Sequence, residues 1–538
     1  MIRLDRRQKI SDKKLFVTIF LVTFVIFFMT NDGHRSTFDE DTPAQQALRM
    51  STMTPHPHFV EGESRLYFEY ERFKGNSDAV LCKDGIFCTN ASIIHSATQV
   101  PFIMLNQHLG IISHSDIFFP ASWSEDRHYV WWRNSISADL TFMEMFYGPL
   151  LTSLSVGFLF LIARSYNFTQ RISISLAILF GFGTMAFAYS QVTLNTVPQV
   201  FFILLGFFLF RKFVTEQNYT ILTLSSIVLG LAFLVRIDAI IFIAPIFVYL
   251  ILFRKEGRIK SILCYSIPLI LSFGIYRILP SLRFSYENVA PVIDPEGVRT
   301  TTVISTTLDN LLPGIPIIES IFESPLYVGG FGLLFSPGAG LMIFCPILIL
   351  VFLSFPDFFQ RNRRDCVLFI VFFGSAVYYF GTLDTWHGLV AWGPRYLYPV
   401  IPFLILTIGA IIEKRKDIRL RTIIIILAAI GFFVNIAYVW QDVNWFIWGW
   451  PGTSGLFGID KYVDGVRNTL NIDPSVIWTF YYSQLTHAIF SLSTFQSDIL
   501  LVKILSLPLY IITFTASFGI ILYSLVIRNL LLMNKNAR

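Results

Sequence analysis

The sequence has few charged residues and few cysteines for its length. Only 14% of its 538 residues are Asp, Glu, Lys or Arg, whereas soluble domains carry about 25%. None of its Cys and His residues have the spacing of a zinc site, and no Gly-rich phosphate loop follows a predicted strand. No run of Lys and Arg is interleaved with aromatic residues, so no nucleic acid partner is expected.

Apolar residues take the place of the missing charges. They make up 54% of the chain, 55 of them are Phe, and the mean hydropathy is +0.60. A membrane-spanning helix needs about 20 apolar residues. The candidate spans are 14–30, 141–163, 171–189, 194–210, 219–235, 238–253, 260–280, 338–355, 366–383, 396–412, 421–440 and 502–527. These stretches predict an all-α polytopic membrane protein with about twelve transmembrane helices.

Basic residues predict the side that each loop occupies, because cytoplasmic loops collect Lys and Arg. With twelve spans, the basic N-terminal segment, the basic connections and the basic tail all fall on one side. Both termini are therefore predicted to be cytoplasmic, in a multi-pass protein of the cell membrane. The first apolar run is long enough to span, so no cleavable signal peptide is expected.

Whether the stretch 219–253 forms one span or two determines on which side of the membrane the later loops fall. The stretch carries Arg236 and Asp238 at its centre, and the loops on both of its sides are basic. Two short spans with a tight external turn keep the basic loops on one side, whereas one long span does not. Charges inside a membrane are costly and often functional. A pair within one turn partly neutralises itself, so we interpret it as structural.

The predicted external side receives four segments. The first loop, 31–140, is long enough for amphipathic helices, and 441–501 is rich in Trp and Tyr. We predict a catalytic transmembrane domain over 1–440, followed by this aromatic loop and the last helix over 441–538. Cys82 and Cys88 bracket five residues of the first loop. An external position makes a disulfide between them the expected state.

Three consecutive acids, Asp39, Glu40 and Asp41, follow the first span. Thr42 and Gln45 have capping-box spacing and Pro43 suits a first helical position, so a helix is predicted to begin there. Acids at a helix N-terminus interact favourably with its dipole. Three adjacent acids also repel one another, so a general base or a ligand at the membrane surface is the other interpretation.

A second candidate group lies in WHGLVAWGPRY, at the external mouth of the tenth span. Arg395 is surrounded by four further candidates, and a guanidinium beside aromatic faces suits a phosphate or a sugar phosphate. The alternatives are an interfacial aromatic belt and an Arg that extends to the membrane surface. The candidate donor-binding residues of this group are Arg395, His387, Trp386, Trp392 and Tyr396.

Three stretches in order resemble the GT-C superfamily of integral-membrane glycosyltransferases. The resemblance is greatest to the protein O-mannosyltransferase-like and lipid A aminoarabinose transferase-like branch. In FDEDTPAQQALRM, Asp39-Glu40 match the "DE" of the first-loop motif, while FGLLFSPGAGLMIFCP and WHGLVAWGPRYLYPVIPF resemble segments of uncharacterised prokaryotic members. The later first-loop segment DGIFCTNASIIHSATQVPF departs from the Y-x-x-x-P-P-G pattern of many relatives, which leaves donor and acceptor open.

The resemblance implies a GT-C fold, a polyprenyl-phosphate-linked sugar donor and Asp39 as the base, with Asp41 in reserve. The predicted external position of the large loops favours the same donor. Nucleotide sugars are held inside the cell, so an external transferase needs a sugar that is carried by the membrane. We expect inverting transfer of a hexosyl or pentosyl unit to a protein, lipid or glycan hydroxyl. No obligatory cofactor is expected, and a divalent metal held by the three acids is an open alternative.

Two other functions fit a chain of twelve spans. The first is a transporter or flippase of a lipid-linked glycan, a class that commonly shows two related halves. No such internal repeat is visible in the sequence. The second is a polysaccharide polymerase or ligase, which would use a glycan-diphosphate donor.

Overall fold

The structure is a computed structural model. It describes residues 11–34, 38–51, 79–81, 87–89, 92–112, 137–254, 256–283, 324–383, 385–388, 391–415, 417–441, 477–481, 483–491, 497, 499–505 and 507–522. The helices are α1 (Asp12–Met29), α2 (Phe38–Ser51), α3 (Ile93–Leu109), α4 (Ala138–Ser165), α5 (Gln170–Gly183), α6 (Ala186–Tyr189), α7 (Thr196–Glu216), α8 (Tyr219–Val235), α9 (Ile240–Phe253), α10 (Arg258–Arg283), α11 (Leu326–Phe335), α12 (Leu341–Phe344), α13 (Leu350–Arg361), α14 (Arg363–Gly381), α15 (Ile401–Lys414), α16 (Ile418–Trp440), α17 (Gln484–Ser491), α18 (Leu500–Leu505) and α19 (Leu507–Leu522).

The prediction of a helical, polytopic membrane protein is confirmed, and all twelve apolar stretches contain helix. Within the described residues, six helices are long and apolar enough to cross a membrane. The number of spans therefore remains a prediction. The window Arg395–Lys414 is 83% buried, whereas Arg258–Leu279 is 11% buried. Hence α15 lies at the centre of the bundle, and α10 lies at its periphery.

Polar side chains set the beginnings of several helices. Ser11 accepts a hydrogen bond from the backbone N–H of Lys14, and Ser137 does the same for Leu140. Thr169, Asn218 and Asp417 cap the following helices in the same manner. Each cap supplies an acceptor to one of the N–H groups that a helix leaves unpaired at its start. The residues that precede these helices thus determine locally where each helix begins.

Two predicted spans are broken rather than continuous. The stretch 338–355 divides at Cys345, because Pro346 has no N–H and disfavours helical geometry in the residue before it. A 3₁₀ turn, Pro346–Ile349, then leads into α13. The stretch 171–189 divides at Thr184, whose backbone is extended (φ −134°, ψ 178°), so α6 is a separate turn of helix.

The stretch 219–253 divides as predicted. α8 ends at Val235, Arg236 is extended (φ −147°, ψ 126°), and a 3₁₀ turn over Ile237–Ala239 leads into α9. Arg236 and Asp238 both belong to this turn and form an ion pair. The interpretation of the pair as structural is thus consistent with the geometry, although the turn also has contacts beyond the pair.

The first loop forms a cap on one end of the bundle. In its described part, the helices α2 and α3 pack against α4 through a small apolar core separate from the main one, formed by Ala44, Ala47, Ile103, Leu140, Met143 and Tyr147. A two-stranded antiparallel hairpin, β1 (Ala79–Leu81) and β2 (Phe87–Thr89), was not expected from the sequence. Cys88 lies in β2, and Cys82 lies outside the described residues, so the disulfide remains a prediction.

The basic connections gather at the opposite end of the bundle. Arg164 is 3.0 Å from Asp12, and Arg211, at the end of α7, is 2.9 Å from Asp365 at the start of α14. Arg361 similarly pairs with Glu413. These contacts place the N-terminal segment and four basic connections at one end of the bundle, as the parity of the spans predicted.

The C-terminal segment contacts the main bundle at the cap end. The N–H of Gly338 donates to the carbonyl of Ile477 (3.0 Å), and Gln484 donates to the carbonyl of Gly338 (2.8 Å). The N–H of Leu500 donates to the carbonyl of Asn31 (2.9 Å). The aromatic run 442–476 lies outside the described residues, and the domain division at 440 remains a prediction.

Candidate active site

The three acids lie in the first turn of α2, at the cap end of the bundle. The helix begins at Phe38, so the predicted start at Thr42 is wrong, and Thr42 and Pro43 lie within the helix. A long-range contact explains the difference. The Glu40 side chain is fully buried and accepts a hydrogen bond of 2.8 Å from the backbone N–H of Thr193. This contact holds the acidic turn against the loop before α7.

The same loop is held from its other side by α3. His95 is 1% exposed, and its Nε2 donates to the carbonyl of Thr193 at 2.9 Å. Ser92, the N-cap of α3, donates to the carbonyl of Leu234 at the end of α8. Residue 193 therefore has both backbone groups bonded to the cap, and the cap also contacts the Arg236 turn.

The docking of α3 is expected to weaken in mild acid. Burial lowers the pKa of His95 to about 4; the Thr193 carbonyl opposes this effect, and the charge of Arg236 adds to it. A solvated His has a pKa of about 6.5. Between those values the undocked state binds more protons than the docked state, so docking is lost as the pH falls from about 6.5 to 4, by on the order of 3 kcal/mol.

Hydrogen exchange of α3 measures this effect. In the native protein the protection of residues 93–109 should decrease between pH 6.5 and 4.5, after correction for intrinsic exchange rates. In His95→Gln the protection should show little dependence on pH in this range. A native protein whose protection does not change would contradict the assignment.

Arg236 connects this loop to a second group of residues. Its guanidinium makes two contacts with Asp238, Nε to Oδ1 at 3.0 Å and Nη2 to Oδ2 at 3.2 Å. Nη1 donates to the side chain of Asn195 at 2.9 Å, and Gln199 donates to Asp238 at 3.0 Å. The turn at 236–238 is therefore bonded to the loop that Glu40 holds.

Tyr396 brings Arg236 and Arg395 together. The Cζ atom of Arg395 is 5.1 Å from the centroid of the Tyr396 ring, and that of Arg236 is 5.7 Å from it. Arg395 also donates to the Tyr396 hydroxyl at 3.4 Å, and Phe380 stacks on the ring at 4.8 Å. Two guanidiniums and the one carboxylate of Asp238 leave a net positive charge beside this ring, which suits an anion.

The loop that carries Arg395 is shaped by two glycines and a buried Trp. Gly388 and Gly393 have φ of +57° and +63°, a region that favours Gly. Trp392 is 1% exposed and donates from Nε1 to Asn435 at 3.2 Å. The hydroxyl of Tyr189 donates to the Trp392 carbonyl. These contacts of Trp392 with Asn435 and Tyr189 fix the loop to the helix bundle, and Arg395 lies at the end of the loop.

Trp386 lies in a different part of the same loop, beside His387. Both are largely buried, and their ring centroids are 5.7 Å apart. Trp386 packs directly on Gly332 of α11, and Trp478 lies 5.9 Å from it. The Gly-rich stretch before α12 thus provides the space that this Trp occupies.

Replacing Gly332 by Ala is expected to displace Trp386, because the added Cβ would lie within the indole ring. Overpacking of this kind costs about 1–3 kcal/mol. Thermal unfolding in detergent should show a lower midpoint and altered Trp fluorescence. Gly374→Ala is the matched control, since a Cβ there meets nothing within 4 Å. An unchanged midpoint in Gly332→Ala would contradict the packing described.

The structure gives specific contacts for six of the eight proposed catalytic and donor-binding residues: Glu40, Trp386, His387, Trp392, Arg395 and Tyr396. The backbones of Asp39 and Asp41 lie in α2, and their side chains lie outside the described residues. Arg236, Asn195 and His95 were not among the predicted site residues. The polar run SQVTLNT between two spans was the signal available for this loop, which contains Asn195 and to which Arg236 and His95 bond.

Comparisons with known proteins give a family match over part of the chain and similarity to solved structures. Residues 133–278 match the family model of dolichyl-phosphate-mannose-protein mannosyltransferase. Crystal structures of ArnT from Cupriavidus metallidurans, in the apo state and bound to undecaprenyl phosphate, are similar over 91% of this chain and 76% of theirs, at 13% identity and TM-scores of 0.44 and 0.42. A search of curated protein sequences gives no match. The family match includes Arg236 and the 190–195 loop, and it supports the predicted resemblance to GT-C membrane glycosyltransferases over that part of the chain.

Proposed function

We propose that the protein transfers a sugar from a polyprenyl-phosphate-linked donor to a hydroxyl group of an extracytoplasmic acceptor. One observation carries the proposal: the acidic turn of α2 and the two guanidiniums at Tyr396 are connected through a single loop. Glu40 bonds to Thr193 of that loop, and Arg236 bonds to Asn195. A carboxylate-bearing helix and a cationic site thus belong to one end of the bundle.

The proposed reaction is a single displacement at the anomeric carbon, with inversion. Asp39 accepts the proton of the acceptor hydroxyl, whose oxygen forms the new bond to the anomeric carbon. The bond from that carbon to the phosphate oxygen breaks, and polyprenyl phosphate leaves with the electron pair. Arg395 and Arg236, with His387, stabilise the departing phosphate, because charge-assisted donors are most effective where negative charge develops. The proposed chemistry requires no metal ion.

The proposal also assigns the cap end to the extracytoplasmic side. Basic residues gather at the opposite end, where Arg164 pairs with Asp12 and Arg211 pairs with Asp365. By the charge rule that end is cytoplasmic, with both termini. The donor's lipid tail would lie along the apolar helices, with its phosphate at the cap. The acceptor and the sugar are left open.

Purified full-length protein in lipid nanodiscs tests the proposal. Incubation with a polyprenyl-phosphate sugar should release polyprenyl phosphate, at a rate unaffected by a metal chelator. Mass spectrometry of surface glycans from cells with and without the protein should show one missing sugar, which would name the acceptor. Turnover only with a diphosphate-linked glycan would instead favour a polymerase or ligase. Movement of an intact lipid-linked glycan across sealed vesicles, without transfer, would favour a flippase.

Arg395→Gln is expected to weaken the binding of polyprenyl phosphate by about 10- to 100-fold, because a hydrogen bond to a charged group contributes about 1.5–3 kcal/mol. Tryptophan fluorescence titration with polyprenyl phosphate in nanodiscs measures this. Arg171→Gln, an exposed cation of α5 at the other end, is the control and should bind normally. Equal binding by Arg395→Gln and the native protein would remove Arg395 from the proposed site.

A further inference from the structure

Three cations at the basic end of the bundle each lie over an aromatic ring. The guanidinium carbon of Arg254 is 5.3 Å from the ring centroid of Phe213, and that of Arg364 is 5.1 Å from the ring of Phe253. The Lys260 ammonium is 4.3 Å from the ring of Tyr219. We call Arg254, Lys260 and Arg364 the cation triad.

The triad forms one continuous site although its members come from different connections. Arg254 lies over the ring of Phe213 and Lys260 over the ring of Tyr219, and the centroids of these two rings are 5.8 Å apart. Arg364 lies over the ring of Phe253, which directly precedes Arg254 in the chain. Gly257 has a φ of +60° and closes the turn between α9 and α10 directly over Tyr219. The sequence thus brings the ends of α7 and α9 and the starts of α8, α10 and α14 to one place.

The triad differs from three other arginines at this end in its lack of a carboxylate partner. Arg164, Arg211 and Arg361 each form an ion pair with an Asp or Glu. In the described part of the chain, no carboxylate lies within ion-pair distance of any triad member. The acid nearest in sequence to Arg364 is Asp365, which is bonded to Arg211. Glu256 lies between Arg254 and Lys260 in sequence but forms no ion pair with either, so the triad keeps a net positive charge.

The helix dipole adds to the positive potential of the triad, and exposed apolar side chains lie beside it. Lys260 lies in the first turn of α10, and Arg364 lies in the first turn of α14, where the helix dipole disfavours cations. The same helix ends carry large exposed apolar side chains: Leu252 is 63% exposed, Ile259 75% and Leu263 52%. In a membrane protein, such a surface faces the acyl chains of lipid, directly beside the triad.

We propose that the cation triad binds the headgroup of an anionic phospholipid. The phosphodiester accepts hydrogen bonds from Arg254, Lys260 and Arg364, and the acyl chains lie against the apolar side chains of α9 and α10. Basic residues close to a membrane surface attract anionic lipids, and a pocket between helices makes that attraction local. The site is distant from the proposed catalytic end and does not depend on the proposed reaction.

Native mass spectrometry of the full-length protein tests this site. Titration with phosphatidylglycerol should show one lipid that binds at least about tenfold more tightly than phosphatidylcholine. The triple variant Arg254→Gln, Lys260→Gln, Arg364→Gln should lose this preference. The control variant Arg171→Gln, Arg419→Gln, Arg421→Gln removes three exposed cations at the same end and should keep it.

Two additional measurements make the outcome decisive. Because the triple variant removes packing on aromatic rings, the charge-retaining variant Arg254→Lys, Arg364→Lys is tested beside it and should keep most of the preference. Soluble glycerophosphoglycerol and inorganic phosphate should not compete, since neither has acyl chains. Equal loss in the triad and control variants, equal binding of the two lipids, or competition by inorganic phosphate would each overturn the proposal.

Discussion

Asp39→Asn is expected to lower the rate of sugar transfer by about 10²- to 10⁴-fold, the range that a general base contributes. The amide is nearly isosteric with the carboxylate but cannot accept the proton of the acceptor hydroxyl. Binding of polyprenyl phosphate should be retained, so the loss should fall on kcat rather than on affinity. Single-turnover transfer in nanodiscs, with lipid binding measured in parallel, gives both quantities.

The two neighbouring acids provide matched controls for Asp39. Glu40 is buried on the N–H of Thr193, and Glu40→Gln keeps an oxygen for that hydrogen bond, so most of the activity should remain. Asp41→Asn should have a small effect if Asp39 is the base. The opposite pattern, a large loss in Asp41→Asn and none in Asp39→Asn, would move the catalytic role by two residues. Full activity in both variants would refute a carboxylate base in this turn.

The second large effect is expected at Arg236, where charge and structure can be separated by a double-mutant cycle. Arg236 is 14% exposed and Asp238 7% exposed. Removing one partner of a buried ion pair leaves the other charge uncompensated and costs about 3–5 kcal/mol. Arg236→Gln should therefore lower both thermal stability and transfer. Asp238→Asn should lower stability by a similar mechanism.

The double variant Arg236→Gln, Asp238→Asn decides which role matters for activity. Removing both charges should recover much of the lost stability, because no buried charge remains unpaired. Transfer should stay low, since the guanidinium beside Tyr396 is still missing. Recovery of transfer together with stability would show that Arg236 acts only as a structural partner of Asp238.

Local patterns in the sequence predicted most of the helices but not their contacts. All twelve apolar runs predicted as spans contain helix, and the parity of basic loops required the turn at Arg236. The effect of proline on the continuity of a helix was less well predicted. Pro346 divides a stretch whose hydropathy alone indicates one continuous helix, because hydropathy does not register a missing N–H.

The candidate site was less predictable because its contacts join distant parts of the chain. Glu40 and Thr193 are 153 residues apart, and the bond between them moved the start of α2 away from the predicted cap at Thr42. Arg236 was identified from its charge, yet its proximity to Tyr396 depends on the packing of α8 against later helices. A single sequence contains no direct signal for such pairs.

The interruption at Cys345 has a consequence for the order in which the protein matures in the membrane. Asn435 of α16 donates to the carbonyl of Phe344 at 3.1 Å and also accepts from the indole of Trp392. A backbone carbonyl exposed by the interruption and the anchor of the arginine-bearing loop thus share one amide, which is synthesised about 40 to 90 residues later. We therefore expect the loop that carries Arg395 to reach its final shape only after α16 has been inserted.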